Sequence, residues 1–205
     1  MNKSNLEYRS MHLDGVKVDA EGKTITGRAI AYNKMSNELR TASGDKFYEK
    51  ILPGAVEYSM ANNDILAYKE HNPEMILGRK SAGTLKLEHR NDGLYATIDV
   101  PNTSYGRDTL ESAKRGDIKG FSFGFNKPTT RNYMEDGMKI REISNMDLRE
   151  ISVVSNPAYN DTTLSVRSED WVEENKQPET TKRDDVKAKD LEYRQKMIEL
   201  NHKSE

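Results

Sequence analysis

The stretch RGDIKGFSFGFNK, residues 115–127, sets Phe121, Phe123 and Phe125 in alternation with Ser122 and Gly124. In an extended strand successive side chains point to opposite faces. A chain obeying this pattern must bury one face of three phenylalanines and leave the opposite face nearly bare. Such a front, a hydroxyl beside a glycine, either holds a backbone-sized ligand or packs closely on a neighbouring strand.

The segments around it read mostly as short strands. VKVDAEGKTITGRAIAYN predicts a hairpin turning at Glu21-Gly22. GTLKLEHRNDGLYATIDVP predicts a second hairpin, with Leu85 and Leu87 going out, Asn91-Asp92-Gly93 at the turn, and Leu94, Ala96 and Ile98 returning. KFYEKILPGAVEYSMANN places Pro53-Gly54 ahead of a helix-compatible run, and DILAYKEHN reads as a short buried strand with His71 at its polar end. In NTSYGRDTLESAKRGD, Asn102 or Thr103 caps a helix that runs to Lys114 and Arg115 and stops at Gly116. After the strand bearing Ser122, Asp136-Gly137 turns the chain into one long return strand that Pro157 ends. Many short strands with two or three helices favour a mainly β fold, a closed or nearly closed barrel with helices packed outside it.

The chain has 205 residues, enough for one domain with an appendage. Composition changes near Ser168: residues 168–205 hold 11 acidic and 8 basic residues among 38, so half of that segment is charged and it is not core. The expected organisation is a domain over 1–167 and a charged tail over 168–205 that is partly helical or disordered. Within the tail Val186, Tyr193 and Leu200 recur at heptad spacing, but two heptads are too few for a coiled coil. The formal net charge of −2 gives no electrostatic reason to expect nucleic-acid or anionic-membrane binding. No cysteine is present, which excludes disulfides, thiolate catalysis and cysteine zinc sites. With no apolar leader at the start and no run of about eighteen apolar residues, the expectation is a protein that is neither secreted by a signal peptide nor membrane-spanning.

A lone strand serine is ordinarily satisfied by backbone or water, and a nucleophilic one needs a base. Four histidines are present, His12, His71, His89 and His202. His202 lies in the charged tail, His12 near the start and His89 beside a hairpin turn, so His71 is the one most easily placed at the rim of a barrel. A carboxylate would fix the imidazole's tautomer and stabilise its charge. In NMDLREISVV, alternation sets Glu150 and Ser152 against Ile151 and Val153, which makes Glu150 a carboxylate on an otherwise buried strand; Asp147 competes for the same role. No G-x-S-x-G elbow, Walker A loop, G-x-G-x-x-G or paired-histidine metal motif occurs, and neither metal nor cofactor is expected.

Taken in order, TITGRAIAYNKMS, FYEKILPGAVE, DILAYKEHNPEMILGR, GTLKLEHRNDGLYATIDVPNTSYGRDTLESAKRGDIKGFSFGF and LREISVVSNPAYNDTTLSVR resemble the prohead (capsid maturation) serine proteases of tailed bacteriophages. That family is related in fold to the herpesvirus assemblins. The resemblance covers about residues 8–167. The family's histidine ahead of an L-G-R phrase falls on His71, before Leu77, Gly78 and Arg79; its serine in R-G-D-x-x-G-x-S-F-G-F falls on Ser122; its acidic residue in L-x-E-x-S-V-V falls on Glu150. Phe121 stands where many relatives carry methionine.

The resemblance implies an assemblin-like β-barrel ringed by helices and a serine endopeptidase acting in host cytoplasm, inside an assembling procapsid. Its substrates would be scaffold or the scaffold-like part of the major capsid protein, and the protease itself. Capsid and scaffold proteins are then the partners, with a homo-oligomer expected from relatives of this fold. Ser122 would attack, His71 would move the proton, and Glu150 would hold His71. A bare Gly124 would let an extended substrate lie against the serine's strand, an added strand being one way to do so. Two rivals remain: a non-enzymatic head-assembly or scaffolding protein that binds capsid protein, and a small-molecule esterase, which the missing elbow discourages.

Overall fold

The computed structural model describes residues 6–11, 16–41 and 43–156. The chain divides into two units, Met1–Glu173 and Glu174–Glu205, and every described residue belongs to the first. Pro157, the charged segment 168–205 and the helix expected within it lie outside the described residues.

In chain order the elements are β1 (Glu7–Met11), β2 (Lys17–Val18), β3 (Thr24–Ala31), β4 (Leu39–Arg40), β5 (Lys46–Ile51), α1 (Glu57–Asn62), β6 (Leu66–Lys69), β7 (Asn72–Arg79), β8 (Leu85–Arg90), β9 (Gly93–Asp99), α2 (Ser104–Arg115), β10 (Gly120–Glu135) and β11 (Met138–Val154). Among the described residues the fold is mainly β with two helices. One seven-stranded sheet runs β1-β10-β11-β5-β4, with β6 on β11 and β7 on β6; a four-stranded sheet runs β2-β3-β9-β8. Both expected hairpins form, β2–β3 and β8–β9, as does the long β10–β11 pair. The second helix ends where its caps dictate: the Thr103 hydroxyl accepts from the Gly106 amide at 3.1 Å, and Gly116 closes it at φ 79°. Strands β1, β5 and β7 were not foreseen, because their partners are distant in sequence or their patterns are broken by polar residues and Pro73.

The two sheets share one core. Phe121, Phe123, Phe125, Ile151 and Val153 of the large sheet are buried with Ile25, Ile30, Leu94 and Ile98 of the small one. The large sheet also curls. Arg9 on β1 and Glu49 on β5 are three strand spacings apart in the ladder, about 14 Å in a flat sheet, yet Arg9 Nε and Nη2 donate to the two Glu49 oxygens at 2.8 and 2.9 Å. Breaks in register between β10 and β11 at Gly124/Phe125 and again between Asn126 and Thr130 provide the bending points. Among the described residues neither sheet is closed by pairing of its outer strands, so the sheet is curled where the sequence suggested a closed barrel.

The Arg9–Glu49 fork belongs to a neutral cluster of four. Arg141 Nη1 donates to Glu7 at 2.9 Å and Glu49 at 3.2 Å, and Arg9 also donates to Glu7 at 2.8 Å. Burial alone would raise the Glu7 carboxyl, yet the Arg141 and Arg9 guanidiniums together hold it below the usual glutamate range; burial works against Arg9 as well, and Glu49 keeps it firmly charged. Removing one partner of such a buried pair leaves charge without compensation. Glu49→Ala is therefore expected to cost about 3–5 kcal/mol in urea denaturation; a loss under about 1 kcal/mol would mean the cluster is not what pins β1. The Glu7 contribution also has a sign. Its folded value is depressed, so its stabilisation is full above the ordinary carboxylate range and fades as pH falls through that folded value. The stability difference between wild type and Glu7→Gln should shrink steadily on acidification below that range, and a difference independent of pH would contradict the ion-pair assignment.

Candidate active site

Ser122 lies in the middle of the large sheet. On β10 its neighbours Phe121 and Phe123 enter the core, and Ser122 and Gly124 face the other way, as their alternation requires. Pairing then sets a row across the strands, Ser10 of β1, Ser122 of β10, Ser152 of β11 and Tyr68 of β6. The next row is Tyr8, Gly124, Glu150 and Leu66. A bulge sits beside it: Gly124 pairs with Glu150 but Phe125 with Leu148, which leaves Arg149 as the extra residue.

His71 reaches this face from a two-residue turn. Lys69 of β6 pairs with Asn72 of β7, and the intervening Glu70 and His71 have φ of 50° and 56°. Two successive left-handed residues form the tight turn whose twist suits a hairpin, unusual for side chains other than glycine and asparagine. His71 Nδ1 bonds Glu150 Oε1 at 2.5 Å, and the Ser152 hydroxyl donates to the same oxygen at 3.1 Å. The Tyr8 ring meets the imidazole edge-on, centroids 4.6 Å apart. The imidazole, 27% exposed, is thus bracketed by Glu150 and Tyr8, the two residues that flank Gly124. Burial raises the phenols of Tyr8 and Tyr68, and the negative charge of Glu150 raises them further.

Of the two acidic candidates, Glu150 meets His71. Asp147 is held elsewhere, accepting from Asn63 Nδ2 at 2.6 Å and Arg149 at 2.5 Å. His89 bonds the Tyr32 hydroxyl through Nδ1, 3.1 Å away, while His12 and His202 lie outside the described residues. Ser122 shares the face of Glu150 but is fully buried, and its hydroxyl donates to the Arg9 carbonyl of β1 at 3.0 Å. A hydroxyl has one hydrogen, so in this arrangement it is not directed at His71.

Two expectations about Gly124 need correction. The position is not an empty front for substrate: a Cβ built there would fall 2.7 Å from Glu150 Cγ and 3.0 Å from Tyr8 Cε1, so both side chains already fill it. Nor can a peptide add to the serine's strand at this level, since β1 and β11 pair with β10 on either side. Sequence reasoning missed Tyr8 and the contact of Ser152; the alternation of Tyr8 and Ser10 in EYRSM was the available signal. Among the described residues no group of three or more His, Asp or Glu is placed to hold a metal ion, and no helix is long and apolar enough to cross a membrane.

The model of the caudovirus prohead serine protease family matches residues 9–177. The chain belongs to that family. No curated protein matches it. Among solved structures the bacteriophage T4 capsid assembly protease is similar at 9% identity, over 66% of this chain and 98% of that one, with a TM-score of 0.39.

The imidazole–carboxylate bond is directly testable. A far-downfield Nδ1 proton signal of His71 should be present in the wild type and in Asp147→Asn, and absent in Glu150→Gln; loss in Asp147→Asn with retention in Glu150→Gln would reverse the assignment.

Proposed function

We propose that this chain is a serine endopeptidase of phage prohead maturation, with Ser122 as nucleophile, His71 as general base and acid, and Glu150 as the group that orients His71. The observation that carries the proposal is the His71–Glu150 bond, formed on the same sheet face as Ser122 in a member of a serine protease family. Because the carboxylate accepts, Nδ1 carries the proton and Nε2 keeps a lone pair with which to take one from the nucleophile. Attack requires the Ser122 hydroxyl to turn from the Arg9 carbonyl to Nε2. The imidazole then takes the proton as Oγ adds to the scissile carbonyl, returns it to the leaving amine, and repeats the exchange with water to release the acyl group.

The substrates in this proposal are scaffold or the scaffold-like part of the major capsid protein, and the protease itself, met in the host cytoplasm within the procapsid. The family's description, caudovirus prohead serine protease, supports this reading. The protein would work as a homo-oligomer, with the curled sheet completing an assemblin-like barrel, and the charged segment 168–205 would dock on capsid or scaffold protein. No role for nucleic acid, metal or cofactor is proposed.

One observation favours a second reading. A fully buried Ser122 whose hydrogen bonds the β1 backbone is also what a packing serine in a head-assembly protein would look like. Co-expression with the capsid and scaffold proteins separates the two. Intact masses should show cleavage with the wild type and none with Ser122→Ala, since loss of a triad nucleophile typically costs on the order of 10⁶-fold in rate. Identical masses in both, with the partner bound and assembled, would move the assignment to the scaffolding reading.

A further inference from the structure

We infer that Gly124 is a positioning residue for the His71–Glu150 pair: its missing side chain is the seat in which the glutamate lies to reach the imidazole. The inference rests on the protease reading above and says what holds that site in shape. Gly124 occupies a strand interior, where glycine costs about 0.5–1 kcal/mol relative to alanine, and it is not among the described glycines with positive φ. Its backbone conformation is open to any residue. What requires a glycine is space. An added Cβ would lie 2.7 Å from Glu150 Cγ, 3.2 Å from Glu150 Cδ and 3.0 Å from Tyr8 Cε1.

The nearest atom matters. Cγ is close to the root of the Glu150 side chain, so it cannot swing aside as a flexible tip would; it moves only if the whole carboxylate moves. That carboxylate has two ties, the 2.5 Å bond to His71 Nδ1 and the 3.1 Å bond from the Ser152 hydroxyl, both on Oε1. On the other side the Tyr8 ring, which touches the imidazole, closes the space. A methyl group at residue 124 therefore pushes on the carboxylate and on the ring wall of the histidine together. The register break at Arg149 lies in the same place, next to the Gly124–Glu150 pair. A misplacement of about 1 Å in such a constellation costs about 10²-fold in rate.

The test is Gly124→Ala, in the wild-type and in the Glu150→Ala background. In the wild-type background, kcat on a cleaved capsid or scaffold substrate should fall about 10²-fold with KM nearly unchanged, and the downfield His71 Nδ1 proton signal should be lost as it is in Glu150→Gln. In the Glu150→Ala background the Cγ and Cδ nearest the new methyl group are gone and the Tyr8 ring edge remains, so adding Gly124→Ala should lower the unfolding midpoint clearly less than it does in the wild-type background; this holds even if the single variant does not fold. Unchanged kcat and an intact proton signal in Gly124→Ala would overturn the inference. So would equal damage to stability in both backgrounds, which would make the glycine a matter of backbone packing. The proton signal and the cross-background comparison need no hydrolysis: a wild type that cleaves nothing while both behave as stated would defeat the protease reading and leave the positioning of the pair supported.

Discussion

Everything in this site follows from one strand being buried on both faces. β10 must place the side chains of alternate residues on opposite sides of the sheet, and it uses the difference fully: three phenylalanines enter the core, and a serine and a glycine take the face shared with Tyr8 and Glu150. The apolar side fixes register, because a slip of one residue would drive Ser122 into the core and a phenylalanine against Glu150. The same packing that stabilises the domain therefore sets Ser122 opposite Ser152 and Gly124 opposite Glu150. No separate device is needed to bring the serine's strand and the acidic residue together.

The edge of this arrangement is β1, and its tether is electrostatic. Arg9 passes its side chain into the core, over the Phe125 ring at 5.4 Å, to fork onto Glu49, while its carbonyl receives the Ser122 hydroxyl. One residue thus ties the curl of the sheet to the state of the serine. Tyr8, the preceding residue, points to the opposite face and walls the imidazole. A buried ion pair is costly to desolvate and still costlier to break singly. β1 is accordingly held as part of the domain rather than as a loose N-terminal arm.

How much of this was legible in the sequence depends on range. Hairpins with their own turn residues, the Thr103 and Gly116 caps of α2, and the two-faced character of β10 are local, and the residues state them directly. His71, Ser122 and Glu150 were each marked by their type and position, but the choice between Glu150 and Asp147 was not open to alternation. The bulge at Arg149 changes the register between them, and strict period two cannot reveal a bulge. β1, β5 and β7 escaped because strand pairing, not propensity, makes them strands. The bare look of Gly124 misled for the same reason: in one dimension an absent side chain reads as free space, and only the fold shows that Glu150 and Tyr8 already occupy it.

The central claim is that Ser122 is a nucleophile activated by His71. The most direct measurement is peptide mapping after reaction with a fluorophosphonate, on the wild type and on His71→Ala. The account predicts a covalent adduct on the Ser122 Oγ of the wild type and none on the variant. An adduct on Ser152 instead, or equal labelling of Ser122 with and without the imidazole, would contradict it.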